Sequence, residues 1–366
     1  MSERLIAADR ATIAAAIRGT TFVTETADAL VPHRLPEWTR AQAADPFVHR
    51  FADQSTGVFL DIETAADVVV LDVRIDRFLS HLHTPDDRRA IFATSIEGQE
   101  IDRAVLTDGT VTTHRPDGTL TSTGGGILRV RLRTGAASEG SRIRIWMPHA
   151  AAVELVGVAA TAELRAAEPD GRTRWIHHGS SISHCFEADG PLGTWPTIAS
   201  LGLGWDLTNL GFSGQAMLDP FVARTIRDLP ADVITLKIGI NIASADTMRE
   251  RTFVPAVHGF LDTIRDGHPE TPIVLISPIH STLNEAHDAP RQAAAGALDL
   301  PLVRRLLERA VSGRADARLH YLDGRALLGP EDAERLHDGL HPDPQGYRLI
   351  GERFAAIARR APWPGS

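Results

Sequence analysis

Two short stretches, far apart in a chain of 366 residues, carry side chains that could together activate a hydroxyl. Near the C-terminal end, Asp338-Gly339-Leu340-His341-Pro342 places a carboxylate three residues ahead of an imidazole. A turn that tight lets the carboxylate accept a hydrogen bond from the Nδ1–H of His341, which fixes the tautomer and leaves Nε2 free to take a proton. Upstream, Gly179-Ser180-Ser181 follows a strand-like run and can open a helix, where free N–H groups favour developing negative charge. Two more polar blocks lie between these stretches. Asn209-Leu210-Gly211-Phe212-Ser213-Gly214-Gln215 spaces its glycines so that backbone N–H groups can point at a ligand. Gly239-Ile240-Asn241 offers a side-chain amide able to donate to an oxyanion. Each block alone reads as something ordinary: a serine N-cap, a loop, a turn asparagine, a solvated approach to the last helix. Their order, and their position after strand-like runs, is what points to chemistry, because ligands in open parallel sheets bind at the carboxyl ends of strands.

The elements that would position these blocks occupy the second half. Strand-like runs at Arg174–His177, Asp206–Thr208, Asp232–Lys237 and Pro272–Ser277 alternate with helical patterns at Phe253–Asp266 and Leu302–Val311. A last helix is predicted over Pro344–Arg360, with Asp343 as N-cap and proline in the first helical position. This alternation predicts a parallel sheet covered on both faces. The first half has a different period. Leu71–Asp76, Leu128–Arg133 and Arg142–Ile145 alternate apolar and charged residues, and Val58–Ile62 and Val153–Val158 are further strand candidates. Short strands separated by Asp-Gly and Gly-Gly turns, without helices between them, predict a sandwich or jelly roll. The arginines at 129, 131, 133, 142 and 144 then fall on its wet face. The stretch Ala166-Ala167-Glu168-Pro169-Asp170-Gly171 is the expected hinge, since Pro and Asp-Gly end regular structure there, giving a β-sandwich domain over 1–168 and an α/β domain over 172–366.

The four blocks together resemble those of the SGNH (GDSL-type) hydrolase family, over roughly Arg174 to Tyr347. The resemblance implies a flavodoxin-like α/β/α domain on a five-stranded parallel sheet. It also implies Ser181 as nucleophile, His341 as base and Asp338 as the carboxylate that orients it. Its oxyanion donors would be the backbone N–H groups of Ser181 and Gly214 and the side-chain amide of Asn241. One departure stands out. The family's first block usually reads Gly-Asp-Ser, and here Ser180 replaces the acid, which bears on substrate more than on the reacting groups. Trp195-Pro196, the Arg249–Phe253 stretch and Ser277-Pro278-Ile279 resemble a two-domain branch with an N-terminal β-sandwich. That branch includes acyl-transferring enzymes of tetracycline-type polyketide pathways and, more distantly, carbohydrate esterases.

The resemblance therefore implies a serine esterase or acylhydrolase that cleaves small acyl esters, acylated sugars or natural products among them, through an acyl-enzyme. An acyltransferase delivering to a sugar or natural-product hydroxyl uses the same groups. A carbohydrate-binding protein with an inactive hydrolase domain is the reading from another class. His178, Trp195, Ser277, His280 and Glu285 are candidate substrate contacts, because they flank the serine or follow a strand's carboxyl end. Cys185, the single cysteine, reads as a small buried residue and excludes an internal disulfide. No cofactor is expected, since HExxH, P-loop and well-formed GxGxxG motifs are missing from the sequence. A formal net charge of -9 argues against nucleic-acid and anionic-lipid partners. With no signal-like or membrane-spanning apolar run, a cytoplasmic location is the default expectation.

Overall fold

The computed structural model describes residues 4–45, 47–80, 89–138, 140–285 and 296–363. Residue contacts divide the chain into two units. The first comprises Met1–Arg34, Ala52–Gly171 and Asp189–Leu192; the second comprises Leu35–Phe51, Arg172–Ala188 and Gly193–Ser366. The expected hinge region ends where the partition changes, but the exchange of Leu35–Phe51 into the second unit has no counterpart in a simple two-block division. Its cause is aromatic packing: His49 stacks on Phe221 at 6.3 Å, and Phe51 meets His184 edge-on at 6.0 Å.

The first unit holds an eight-stranded and a six-stranded sheet. The longest strand, Val68–Ser80, pairs antiparallel with Leu128–Arg133 and Ala151–Ala160, and parallel with Thr110–His114. Its alternation does what period two requires, since Leu71, Val73 and Ile75 are buried while Asp72, Arg74 and Asp76 reach outward. Val69, Leu71, Val73 and Ile75 share one core with Leu60, Ile62, Phe92, Ile143 and Ile145 from the other sheet, so the sheets face each other. The outward arginines pair across strands, as Arg129 does with Asp72 at 2.8 Å. Arg144 departs from the wet-face expectation. It is buried over the Phe59 ring at 4.6 Å, and it converges with Arg142 on the buried Asp61.

The second unit has a five-stranded, all-parallel sheet. Its strands are β1 (Arg174–Gly179), β2 (Asp206–Gly211), β3 (Val233–Lys237), β4 (Ile273–Ile276) and β5 (Leu319–Leu322). They lie in the order β2-β1-β3-β4-β5. Every residue of β3 and β4 is buried, as expected of strands covered on both faces. After β1, the described α-helices are α1 (Ser181–His184), α2 (Trp195–Leu203), α3 (Pro220–Asp228), α4 (Ile240–Ser244), α5 (Glu250–Gly267), α6 (Leu300–Ser312) and α7 (Pro344–Ala358). The start of α7 follows the predicted chemistry: Asp343 caps it, accepting from the Gly346 N–H at 2.6 Å. On one face of the sheet, Trp175 stacks on Phe354 at 5.0 Å and meets Trp195 at 6.1 Å. The order reverses direction between β1 and β3, and α1, the loop after β2 and α4 all start at that end of the sheet. Among the described residues, no helix is long and apolar enough to cross a membrane.

Candidate active site

The helix α1 is only four residues long, so its placement depends on what it rests on. Ser180 caps it, its Oγ accepting from the Ile182 N–H. Beneath it runs a fully buried polar chain. Trp175 Nε1–H donates to Thr235 Oγ1 at 2.9 Å, that hydroxyl meets His177 Nδ1 at 2.7 Å, and His177 Nε2 meets Ser183 Oγ at 2.7 Å. Asn209 of β2 donates to the Ser183 carbonyl at 3.0 Å. Burial, reinforced by the nearby charges of His178 and Lys237, pushes the His177 pKa well below its ordinary value, so the imidazole stays neutral. Close approach makes Gly211 obligatory: a Cβ there would lie 2.6 Å from the Ser183 carbonyl carbon and 2.7 Å from the His184 nitrogen. These contacts leave Ser181 at the first turn, mostly buried, with its hydroxyl toward the C-terminal loop.

That loop is a small hairpin closed by a bridge between Leu336 and Pro342, with Gly339 in the left-handed region at φ 80°. It folds Asp338 back on its own following residues. The His341 and Leu340 N–H groups donate to Asp338 Oδ1 at 2.6 and 2.9 Å, and His341 Nδ1 lies 2.7 Å from Oδ2. Partial burial alone would raise the Asp338 pKa. The hydrogen bonds from the His341 ring and from the two backbone groups outweigh that burial and hold the carboxyl well below the usual carboxylate range. With Nδ1–H donating to this carboxylate, Nε2 is the acceptor, and it lies 2.9 Å from Ser181 Oγ. The hydroxyl, imidazole and carboxylate thus stand in one hydrogen-bonded row.

The remaining predicted groups follow the carboxyl ends of β2 and β3, the two strands that flank β1. Asn241 lies in the first turn of α4, and its Oδ1 accepts from the Ala216 N–H at 3.1 Å. That bond fixes the amide so that Nδ2 is turned away from Ala216 and remains a donor. Gly214 adopts φ 70°, a conformation that favours glycine. Among the described residues, no acceptor is found for the N–H groups of Ser181 and Gly214 or for Asn241 Nδ2. Three donors of this kind can meet a developing oxyanion.

Comparison with known proteins supplies the family. Residues 178–349 match the GDSL-like Lipase/Acylhydrolase family. The chain carries a GDSL-like lipase/acylhydrolase domain. Sequence comparison with curated proteins finds no match. Among solved structures, the salicylyl-acyltransferase SsfX3 from a tetracycline biosynthetic pathway is 23% identical, with a TM-score of 0.80 over 97% of each chain. A GDSL-like lipase candidate from Bacteroides ovatus ATCC 8483 is 16% identical, with a TM-score of 0.72 over 97% of this chain and 98% of that one. A family two carbohydrate esterase from Cellvibrio japonicus is 12% identical, with a TM-score of 0.57 over 98% and 97%. At these identities the likeness is one of fold, and the GDSL-like domain has the SGNH hydrolase fold with its five-stranded parallel sheet.

Five other side chains of the GDSL-like domain, expected as substrate contacts, pack against or bond to other parts of it, three of them buried and His280 and Glu285 partly exposed. His178 is buried against Phe260, with Nδ1 2.8 Å from the Leu210 carbonyl, and burial lowers its pKa to about 4. Trp195 is fully buried among Trp175, His177 and Phe354. Ser277 is interior and accepts from Tyr321 Oη at 3.1 Å and from the Gly324 N–H at 3.0 Å. Glu285 pairs with the buried Arg304 at 2.6 Å, and His280 lies 3.3 Å from the same carboxylate. Sequence position at a strand end does not distinguish a side chain that faces ligand from one that pins the loop. Cys185 is no rival to Ser181, because burial pushes its thiol well above the ordinary value and leaves no thiolate to attack.

One buried charge is unaccounted for by sequence reasoning. Lys237, the last residue of β3, is 1% exposed, and no partner for its Nζ is found among the described residues. Burial depresses its pKa to about 7. The unfolded chain therefore holds more protons than the native one between about pH 7 and the ordinary lysine value, so stability rises with pH across that window. Lys237→Met is expected to stabilise the protein by about 2–4 kcal/mol at pH 6, with the gain shrinking toward pH 10. Urea denaturation at both values checks this; an equal gain at the two pH values would contradict it.

Proposed function

We propose that the GDSL-like domain is a serine esterase or acylhydrolase that cleaves small acyl esters through an acyl-enzyme. The observation that carries this reading is the row from Ser181 Oγ to His341 Nε2 at 2.9 Å and from Nδ1 to Asp338 at 2.7 Å. In this mechanism His341 removes the Ser181 proton as Oγ attacks the ester carbonyl. The carbonyl electrons move onto oxygen, which accepts hydrogen bonds from Ser181 N–H, Gly214 N–H and Asn241 Nδ2. The tetrahedral species collapses, and the imidazolium gives its proton to the leaving alcohol. Water, activated by the same imidazole, then releases the acid and restores Ser181. Asp338, held ionised, keeps Nδ1 protonated throughout and stabilises the transient imidazolium.

The same acyl-enzyme can pass its acyl group to an alcohol. The full-length fold likeness to a salicylyl-acyltransferase motivates that second reading, in which a sugar or natural-product hydroxyl takes the place of water. A role limited to carbohydrate binding would leave the close spacing of Ser181, His341 and Asp338 without a purpose. An ester library varied in acyl length and leaving group, run with and without sugar and phenolic acceptors, tests these readings. Release of p-nitrophenol from short-chain esters supports the esterase. Acylated acceptor in place of free acid moves the assignment to transfer, and absence of turnover across the library sinks both.

Asn241→Ala is expected to lower kcat by about 10²- to 10³-fold with little change in KM, because the lost donor acts on the transition state more than on bound ester. Steady-state kinetics would show it, and a kcat within about threefold of wild type would remove Asn241 from the oxyanion site.

A further inference from the structure

The geometry points to Asn284 as a positioning residue that couples the helix carrying Asn241 to the loop carrying Asp338 and His341. This rests on the esterase reading above. A hydrogen-bond chain with one direction joins the two. Ser244, in the last turn of α4, donates from Oγ to Asn284 Oδ1 at 3.2 Å. Asn284 donates from Nδ2 to Ser281 Oγ at 3.1 Å. Ser281, fully buried, donates in turn to the Gly339 carbonyl at 2.9 Å. Gly339 is the residue after Asp338, at the tip of the hairpin that ends in His341 and Pro342.

Neither joined element is anchored by length. α4 has five residues, and the hairpin is held across its base by one bridge. The segment between them is anchored. Arg304, 4% exposed, binds the Pro278 and Ile279 carbonyls at 3.0 and 2.7 Å and grips the Glu285 carboxylate at 2.6 and 2.8 Å. The Ser281 N–H donates to that same carboxylate at 3.3 Å. The chain from Ser244 to Gly339, joined at the Gly339 carbonyl by the Thr282 hydroxyl at 3.2 Å, therefore hangs from an ion pair whose guanidinium is buried, and it holds both the oxyanion donor and the base in register. This also gives Glu285, half-buried beside Arg304, a definite task at one remove from substrate.

Asparagine is required at position 284 because the link must accept on one side and donate on the other. Aspartate keeps the size but lacks the donor. Its carboxylate would accept from Ser281 Oγ–H and take that proton from the Gly339 carbonyl. Alanine removes both bonds. A reacting constellation displaced by about 1 Å can lose about 100-fold in rate without any loss of ligand contact.

The test uses the full chain as wild type, Ser181→Ala, Asn284→Ala, Asn284→Asp and Ser244→Ala. A fluorophosphonate probe is followed by intact mass, ester turnover gives kcat and KM, and proton NMR follows the low-field Nδ1 proton of His341. Wild type labelled and Ser181→Ala unlabelled establishes the esterase site independently of Asn284. The expected result for both Asn284 variants is a fall of about 10- to 100-fold in labelling rate and in kcat. KM should stay within about twofold, and the Nδ1 resonance should broaden or disappear. Ser244→Ala should share the loss, and adding it to Asn284→Ala should cost little more, as expected of one chain. Wild-type labelling, kcat and resonance in both Asn284 variants, with only a lower Tm, would overturn the proposal. Should wild type itself go unlabelled, the esterase reading fails and the His341 resonance alone decides the coupling. Its loss in Asn284→Ala supports the coupling, and its persistence overturns it.

Discussion

Ser181→Ala is expected to lower kcat for ester hydrolysis by on the order of 10⁶-fold while the fold survives. The change deletes one oxygen from a mostly buried side chain and leaves the surroundings that place it. The α1 cap belongs to Ser180 and the buried polar chain beneath α1 ends on Ser183, so neither depends on the Ser181 hydroxyl. Stability should change by no more than the worth of one hydrogen bond, about 0.5–1.5 kcal/mol. The neighbouring serines provide the contrast. Ser183→Ala breaks a buried bond to His177 and should act through stability, whereas Ser181→Ala should act through the chemical step alone. Cys185 offers no bypass, because burial keeps it a thiol. Activity near the wild-type level in Ser181→Ala would mean that another nucleophile does the work.

Asp338→Asn is expected to cost about 10⁴-fold in kcat. The asparagine side chain can still accept from the Leu340 and His341 N–H groups, so the hairpin has no reason to open. What changes is the ring. An amide presenting N–H to Nδ1 selects the tautomer with its proton on Nε2, and that nitrogen can no longer accept from Ser181. The pH dependence follows from the sign of the Asp338 shift. Its native pKa is depressed, so its contribution to stability is present above the ordinary carboxylate value and is lost as pH falls through the depressed one. Across the neutral range Asp338 stays ionised, so activity lost there on acidification does not come from this carboxylate. Steady-state kinetics beside thermal melts separates the two effects; kcat within about tenfold of wild type would leave the carboxylate a structural part only.

Much of this architecture could be read from the chain, for identifiable reasons. Strand–helix alternation in the second half works because β4 is apolar throughout and β3 nearly so, as strands buried on both faces must be, and α7 announces itself through Asp343 and Pro344. The last strand, Leu319–Leu322, is too short for a periodic signal, with only Leu319 and Leu322 buried. In the first half, period two marked the central strands, but the burial of Arg144 beside Asp61 depends on a neighbour 83 positions away that no local pattern shows (144 − 61). Leu35–Phe51 joins the second unit through aromatic contacts that are equally non-local.

The site divides the same way. Ser181, Gly214, Asn241, Asp338 and His341 were recognisable because each occupies a strand-end block with its own spacing. The groups that hold them were not. His177, Ser183, the Ala216 N–H, Ser281 and Asn284 each bond to a residue distant in sequence (Thr235, Asn209, Asn241, Gly339 and Ser244), and serines, asparagines and backbone amides carry no pattern that marks such bonds. The candidate substrate contacts meet a related limit: Ser277 and Glu285 lie where ligand contacts are expected, and they bond to Gly324 and Arg304.

The most direct test is to quench ester turnover with acid and locate the covalent intermediate by peptide mass spectrometry. The acyl group should be found on the peptide containing Ser181, in an amount that disappears with Ser181→Ala and falls in Asp338→Asn. Turnover without an adduct, or an adduct on any other residue, would contradict an acyl-enzyme built on Ser181 and His341.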